Sequence, residues 1–332
     1  MDKLLTISIA AYNVEKYIKN TLDSLILEDE WFQKLEIFVI DDGGTDKTLD
    51  IAKSYEEKFP GVIYAIHKED NGYGSTVNYS LEKATGKYFK LLDGDDWFVT
   101  DNLRMILQLL EKVDEDILID DFYKCSSEKD YNYIKAHDYT DGKLLNVSEF
   151  NPNIPVGMWA LIYKTNLLRK ISLKLPENMF YVDQIYSTYP FNRAKGIRFL
   201  KTPLYCYRVG QNGQSVSRHS RIKYSDQMKT CCMLLLTFCE KCRTDNSENY
   251  PYILNRVSRY YQTAFRTILL KPINLRNKQE LVEFEKMASI VSKDVYLQCL
   301  HYGKGGRLVK LFRVSHYKIY WLFKLYPMPN WK

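Results

Sequence analysis

Three carboxylates fall within four residues at Asp93-Gly94-Asp95-Asp96, directly after the largely apolar run 87–92 and before Trp97. Like charges this close repel, and a folded chain keeps them together mainly where a cation neutralises them. Carboxylate oxygens suit hard ions such as Mg2+ or Mn2+, which commonly complete their shells with water and substrate phosphates. The same residues also read as a solvated turn that caps a helix starting near residue 102, because Asp is common in turns and caps.

Two other polar segments could do chemistry. Asp41-Asp42-Gly43-Gly44-Thr45-Asp46 follows an apolar run at 35–40. Thr45 or Asp46 reads as the cap of the next helix. Asp41 and Asp42 then remain to accept from a base N–H or a ribose hydroxyl, as acidic residues after strands do in dinucleotide sites. Asn71-Gly72-Tyr73-Gly74-Ser75-Thr76-Val77-Asn78 opens a helical pattern. Glycines permit close backbone approach, and a helix N-terminus attracts phosphate. The segment lacks the G-K-[ST] ending of a Walker loop, and a plain loop with a Ser/Thr cap fits it equally.

The elements that must position these residues alternate in type. Residues 4–10, 35–40, 62–66, 87–92 and 116–122 read as strands, and 14–27, 46–59, 74–84 and 102–113 as helices. Apolar strands separated by amphipathic helices predict an α/β fold with a mainly parallel sheet covered on both faces. Ligands of such sheets sit beyond the carboxyl ends of the strands. The polar clusters obey that rule: Tyr12-Asn13 follows the first strand, Asp41-Asp42 the second and Asp93 to Asp96 the fourth. From 123 to 207 the pattern is mixed, with a helix expected at 183–194. Beyond about residue 217 it turns helical, at 222–242, 251–270, 278–290 and 304–325.

In this order and placement the segments resemble glycosyltransferase family 2, whose nucleotide-binding half has the Rossmann-like GT-A fold. The resemblance rests on Ser8-Ile9-Ala10-Ala11-Tyr12-Asn13, on Val39 through Thr48, on Asn71 through Asn78, and on Ala84 through Trp97. It covers about residues 4–210 and is strongest to about 100. It implies a transferase domain at 1–217, with a nucleotide-binding half (1–100) and an acceptor half (101–217), followed by a helical domain at 218–332. It also implies that Ala11, Tyr12, Asn13 and Asp42 lie against the nucleobase, usually uracil, with Asp41 in support. Asn71, Gly72, Asn78 and Gly94 join the donor-binding set. Asp93 and Asp95 match the family's D-x-D motif, with Asp96 directly after it, and these hold Mn2+ or Mg2+ at the diphosphate. Ala10 stands where many relatives have Pro, and Gly44 where Ser is commoner.

The same resemblance places a general base at Asp183. In Glu177-Asn178-Met179-Phe180-Tyr181-Val182-Asp183-Gln184, Val182 replaces the first acid of the family's dyad and Asp183 matches the second. Read without the family, Asp183 is an N-cap for the helix that follows. Arg208, in the segment after the last strand, would pair with phosphate or with an acid of the core. Trp159 reads as an acceptor-stacking ring or as a buried Trp. His219 has the wrong spacing for a ligand and stays outside the metal set.

These parts imply an inverting hexosyl- or N-acetylhexosaminyltransferase. It would take a UDP-sugar as donor and a saccharide, lipid-linked or protein-linked glycan as acceptor. A sugar-phosphate nucleotidyltransferase would carry a Gly-rich, Arg-containing loop where Ala11-Tyr12-Asn13-Val14-Glu15 stands. A non-catalytic nucleotide-sugar binder or scaffold would tolerate loss of the acids, which are all present.

Composition bounds the remaining classes. The 332 residues are 45% hydrophobic and 27% charged, as in a globular protein. Seven Cys with no disulfide framework predict a reducing cytosol, and Met1-Asp2-Lys3 runs into a strand without a secretory pattern. Cys239 and Cys242 form a C-x-x-C without a second pair at zinc spacing. The net charge of +6 is uneven, with seven Lys/Arg and no Asp or Glu from His301 to Lys332. Basic and aromatic residues interleaved at 304–325 suit an interfacial helix at the inner face of the cell membrane, or a helix packed through its aromatic side. No nucleic-acid-binding module is recognisable.

Overall fold

The computed structural model describes residues 2–28, 30–210 and 216–324. The chain divides into two compact units, 1–211 and 212–332. The first unit is built on four parallel strands, β1 (Leu5–Ala11), β2 (Leu35–Asp42), β3 (Ile63–Lys68) and β4 (Tyr88–Asp93), in the spatial order β3-β2-β1-β4. Leu5, Ile7 and Ile9 alternate with Thr6 and Ser8 along β1, and all five are buried, so both faces of the sheet are covered. The covering helices include α1 (Ile18–Asp23), α2 (Thr48–Lys58) and α3 (Tyr73–Lys83). The register pairs Ala11 with Asp41 and Ala10 with Asp93. The acidic ends of β2 and β4 therefore flank the end of β1.

Past β4 the chain forms β5 (Trp97–Phe98), α4 (Thr100–Leu110), β6 (Ile117–Ile119), β7 (Phe122–Ser127), β8 (Asp130–Ile134) and β9 (Leu144–Asn146). It continues with β10 (Leu161–Lys164), α5 (Thr165–Lys170), α6 (Asp183–Tyr186), β11 (Gly196–Phe199) and β12 (Tyr205–Arg208). The main sheet is mainly parallel, as expected, with β10 antiparallel to both β4 and β6 and β9 antiparallel to β11. The strand expected at 116–122 is two strands in two sheets: β6 extends the main sheet, and β7 belongs to a second sheet ordered β5-β12-β7-β8. Buried Asp120 and Asp121 form the corner between them. Asp120 accepts from the Leu204 N–H at 3.0 Å, and Asp121 from the Ala136 N–H at 2.8 Å and from the Tyr133 hydroxyl. The two N–H bonds satisfy backbone donors at the corner.

Two expected helices are also shorter. The one at 14–27 is regular only over α1. The one at 183–194 stops at Tyr186, and a 3-10 turn at Tyr189–Asn192 follows with Pro190 in its first turn. Pro190 has no N–H to continue an α-helical ladder.

The second unit is helical: α7 (Arg218–Lys223), α8 (Ser225–Thr244), α9 (Tyr250–Leu269), α10 (Leu275–Val291), α11 (Lys293–Gln298) and α12 (Gly303–Val314). Tyr261, Phe265 and Ile268 of α9 are fully buried, at helical spacing, and α8, α10, α11 and α12 all pack on this helix. The helix expected at 304–325 breaks after Val314. His316 and Tyr317 have φ of 48° and 59°, and a 3-10 segment at Lys318–Lys324 follows. Within it the aromatic side packs inward: Phe312 meets Phe265 edge-on, and Tyr320 is buried. Arg313 of the basic stretch is bound to buried Glu285 at 2.6 and 3.1 Å. All seven cysteines are buried.

At the far end of the main sheet from the acidic clusters, buried Glu36 ties three segments together. It accepts from the Thr6 hydroxyl at 2.6 Å, the Thr85 N–H at 2.7 Å and the Thr85 hydroxyl at 2.7 Å. Substituting Glu36→Gln turns an acceptor into a donor facing donors. Urea denaturation should show a loss of about 2 kcal/mol, the scale of a charge-assisted hydrogen bond replaced by an unmet buried group.

Candidate active site

The turn after β4 is drawn tight against β1. The Gly94 N–H donates to the Ala10 carbonyl at 3.0 Å, and a Cβ on Gly94 would lie 2.9 Å from that oxygen. Only glycine fits such an approach. The turn brings Asp93, Asp95 and Asp96 together, each with a ligand atom within 4.8 Å of the others. Among the described residues no other group of three His, Cys, Asp or Glu does this. None of the three caps α4, whose N-cap position is Val99.

β12 fastens the turn from the second sheet. Asp96 accepts from the Tyr205 hydroxyl at 2.6 Å and from the Arg208 N–H at 2.7 Å. The Arg208 Nε donates to the Asp95 carbonyl at 2.7 Å, and its guanidinium lies over the rings of Trp97 and Tyr17 at 4.6 and 4.8 Å. Arg208 also lies 3.6 Å from a carboxylate oxygen of Glu128.

The three carboxylates differ in availability. Asp96 has both oxygens bonded within the fold, whereas Asp93 Oδ1 is buried with no hydrogen-bond partner. An orphaned buried carboxylate oxygen beside two more carboxylates fits a divalent cation. Burial pushes the Asp93 carboxyl up to about 8, with the charges of Asp95 and Asp183 adding to the effect and a Tyr73 hydrogen bond opposing it. Burial also raises Asp95, against the pull of Arg208. It raises Asp96 further, aided by Asp93 and Asp95.

On the other side of β1, Asp41 meets His67 Nδ1 at 2.6 Å. A Cβ on Gly44 would lie 2.3 Å from Asp41 Oδ1, so a Ser here would require the Asp41 carboxylate to move. Asp42 pairs with Lys68 and accepts from the Asn71 N–H at 3.2 Å. Asn13, at φ 52°, accepts from the Thr45 N–H at 2.8 Å and so holds the β2–α2 loop. Ala11 is buried between the acidic strand ends, and Tyr12 is 55% exposed, its ring open to a planar ligand. Asp46 accepts from the Thr48 N–H at 2.9 Å, but the N-cap position of α2 is Lys47, so neither Thr45 nor Asp46 is the cap expected from sequence.

The Asn71–Asn78 segment works differently from expectation. Its glycines admit the chain's own backbone. A Cβ on Gly74 would meet the Pro176 carbonyl at 2.0 Å, and one on Gly72 would meet the Asn178 nitrogen at 3.2 Å. The Asn78 amide is bonded to both the N–H and the carbonyl of Leu175.

Asp183 opens α6 as its first helical residue, and the N-cap position is Val182. The capping alternative is therefore set aside. Its carboxylate accepts from Gln184 Nε2 at 2.7 Å, and its charge is felt by Asp93, Tyr73 and Tyr207. Trp159 is half-buried and flanked by Phe122 and Tyr207, with ring centres 5.5 and 4.6 Å away. Sequence reasoning missed Tyr73 and Tyr207. Tyr73 stood inside a quoted motif, but its hydroxyl reaches Asp93 only through the placement of α3. No sequence signal marked Tyr207.

The raised carboxyls set a sign for stability. Asp93 is held above its unfolded value, so the metal-free fold binds more protons than the unfolded chain between about pH 4 and pH 8. Its stability should fall as pH rises through that window. Asp93→Asn should be more stable than the parent near pH 8 in EDTA, by on the order of 1–2 kcal/mol. Adding Mn2+ should raise the melting temperature of the parent and not of the variant. Thermal melts at both ends of the window check each point.

Residues 6–175, about half of the chain, match the model of the family described as "Glycosyl transferase family 2". Among sequence relatives, the uncharacterized glycosyltransferase MG025 of Mycoplasma genitalium is 27% identical over 218 residues, covering 64% of this chain and 70% of that protein. Glycosyltransferase GlyA of Streptococcus pneumoniae is 25% identical over 229 residues, 65% of this chain and 32% of that longer protein. Among solved structures, residues 1–349 of S. aureus TarS in complex with UDP-GlcNAc superpose with a TM-score of 0.72 at 17% identity, covering 99% of this chain and 93% of that one. The mannosyltransferase PcManGT of Pyrobaculum calidifontis, in complex with GDP-Man and Mn2+, gives 0.53 at 15% identity, with 98% and 84% covered. These structural likenesses speak to the fold, which is GT-A with a helical region after it. With the family match extending from β1 to the segment before α6, the chain belongs to glycosyl transferase family 2 and is a glycosyltransferase.

Proposed function

We propose that the chain moves a sugar from a UDP-sugar to a hydroxyl of a saccharide, glycolipid or glycoprotein acceptor, with inversion at the anomeric carbon. The observation that carries this reading is the cluster of Asp93, Asp95 and Asp96 beyond the carboxyl end of β4, with Asp183 near enough for its charge to act on Asp93. A pair of separate carboxyls, one beside metal ligands and one at a helix start, suits a direct displacement that needs one base. Asp183 takes the proton from the acceptor hydroxyl as its oxygen attacks C1. Tyr12, Asn13, Asp41 and Asp42 border the place of the nucleobase, and Tyr12 offers its exposed ring. Asp93 and Asp95 would hold Mn2+ or Mg2+, and Asp96 keeps them in place through β12. When bound, that ion neutralises the charge growing on the departing diphosphate. TarS is the solved relative described with UDP-GlcNAc, and PcManGT the one with GDP-Man and Mn2+, which supports a nucleotide-sugar donor and a metal here.

We also place the acceptor step at the inner face of the cell membrane. The outer face of α12 presents Lys304, Arg307, Lys310, Leu311 and Val314, and Trp321 and Leu322 are exposed after it. Cations and aliphatic groups on one face suit an anionic lipid surface. Among the described residues no helix is long and apolar enough to cross a membrane.

Thermal stabilisation by UDP, GDP, CDP and ADP, each with and without Mn2+, tests the donor site. UDP at a hundredfold excess over its dissociation constant should add about 2.7 kcal/mol, only with metal, and Asp95→Ala should lose the effect. No stabilisation by any nucleotide overturns the donor reading. With a UDP-sugar that the parent consumes, Asp183→Asn should cut kcat by about a hundredfold or more and leave the UDP shift intact. Sedimentation with phosphatidylglycerol vesicles should carry the protein down at low salt and release it at about 1 M salt, where the Debye length falls to about 3 Å.

A further inference from the structure

The stretch from Leu175 to Asp183 carries the proposed base, yet α6 begins only at Asp183. Leu175 and Val182 are buried near its two ends, while Glu177, Asn178 and Phe180 between them are exposed. Two of its residues, Asn178 and Tyr181, have φ of 54° and 68°. That region is unfavourable for residues with side chains, and more so for a bulky Tyr than for Asn. A strap with this backbone keeps its shape only if its surroundings hold it.

Three features hold it, and all lie on α3 or just before it. Asn78 grips the Leu175 peptide from both sides. Its Nδ2 donates to the Leu175 carbonyl at 2.9 Å, and its Oδ1 accepts from the Leu175 N–H at 2.8 Å. The same Nδ2 reaches Glu177 Oε1 at 3.3 Å. Next, the Asn71 carbonyl accepts from the Asn178 N–H at 2.6 Å, while the Asn71 N–H donates to Asp42. Finally, Gly72 and Gly74 leave the room that Asn178 and Pro176 occupy.

We infer that Asn78 is a positioning residue for the base: its amide fixes the strap, and the strap fixes where Asp183 stands relative to Asp93. The Asn71 peptide joins the same strap to Asp42, on the donor side. This inference rests on reading Asp183 as the base. It departs from a donor-binding role for Asn78, because both of its amide heavy atoms are already bonded to the strap. An Asn side chain has two donors and one acceptor oxygen, and a donor ligand would compete with Leu175 for them.

The test uses the full chain with Asn78→Ala and, as a milder change, Asn78→Asp, which keeps the acceptor for the Leu175 N–H. The probe is UDP with Mn2+, and the readouts are its thermal shift, amide hydrogen exchange and turnover of the UDP-sugar that the parent consumes. Exchange in peptides covering 176–186 should become about tenfold faster or more, as local opening loses its restraint, with α8 and α9 unchanged. The UDP shift and the donor KM should stay at parental values. The kcat should fall about tenfold to a hundredfold, the scale of a base displaced by about an ångström. Unchanged exchange in the strap, or loss of the UDP shift, overturns the inference; the latter would make Asn78 a donor ligand. A fully active Asp183→Asn enzyme would instead sink the base assignment itself, and the exchange data would still report on what Asn78 holds.

Discussion

Asp96 gives one carboxylate oxygen to the Tyr205 hydroxyl and the other to the Arg208 N–H, and the rest of the site depends on that attachment. Three carboxylates in four residues would open outward if only their mutual repulsion acted. β12 prevents this by bonding one of them from a second sheet and by stacking Arg208 over Trp97 and Tyr17. With the turn fixed, Asp93 is left beside Asp95 with a buried, unpartnered oxygen. The fold thus concentrates an electrostatic cost at one place.

The second sheet is explained by the same need. β5 and β12 pair through Trp97–Cys206 and Phe98–Tyr205, so the strand immediately after the acidic turn is bonded to the strand that anchors it. Buried Asp120 and Asp121 let the chain leave β6 and enter β7, and β7 is the parallel neighbour of β12. Fully buried Lys90 lies underneath. It donates to the Trp159 carbonyl at 2.8 Å, feels the charge of Asp120, and is pushed down to about 8 by desolvation. Polar groups inside this unit are largely engaged with backbone, which fixes corners and turns that apolar packing would leave free to slide.

The two polar regions flanking β1 have different structural support. The Asp41–Asp42 side is held by the hydrogen bond between Asp41 and His67, the ion pair of Asp42 with Lys68, and the clamp of Asn13 on Thr45. The Asp93 side is held by β12. α3 contributes to both, since the segment before it reaches Asp42 and its first turn carries Tyr73. The strap to Asp183 lies on the same helix start.

What the sequence determined by itself is the part governed by local rules. Apolar strands with polar ends, helical spacing between them and three acidic or glycine-bearing turns sufficed for the α/β plan, and Asp93, Asp95 and Asp96 stood out by proximity alone. The resemblance added Asp183, which no local rule separates from a helix cap. Tertiary structure decided what depends on register and on contacts distant in sequence. Asp96 differs from Asp93 because the Tyr205 hydroxyl and the Arg208 N–H, more than a hundred residues later, bond its carboxylate, whereas Tyr205 meets only the backbone N–H of Asp93. Gly72 and Gly74 make room for Asn178 and Pro176, and Asn78 holds Leu175, because a helix start cannot reveal which segment will lie upon it. Residues 116–122 read as one strand because the hydrogen bonds that bend the chain at Asp120 and Asp121 come from partners that hydropathy does not see.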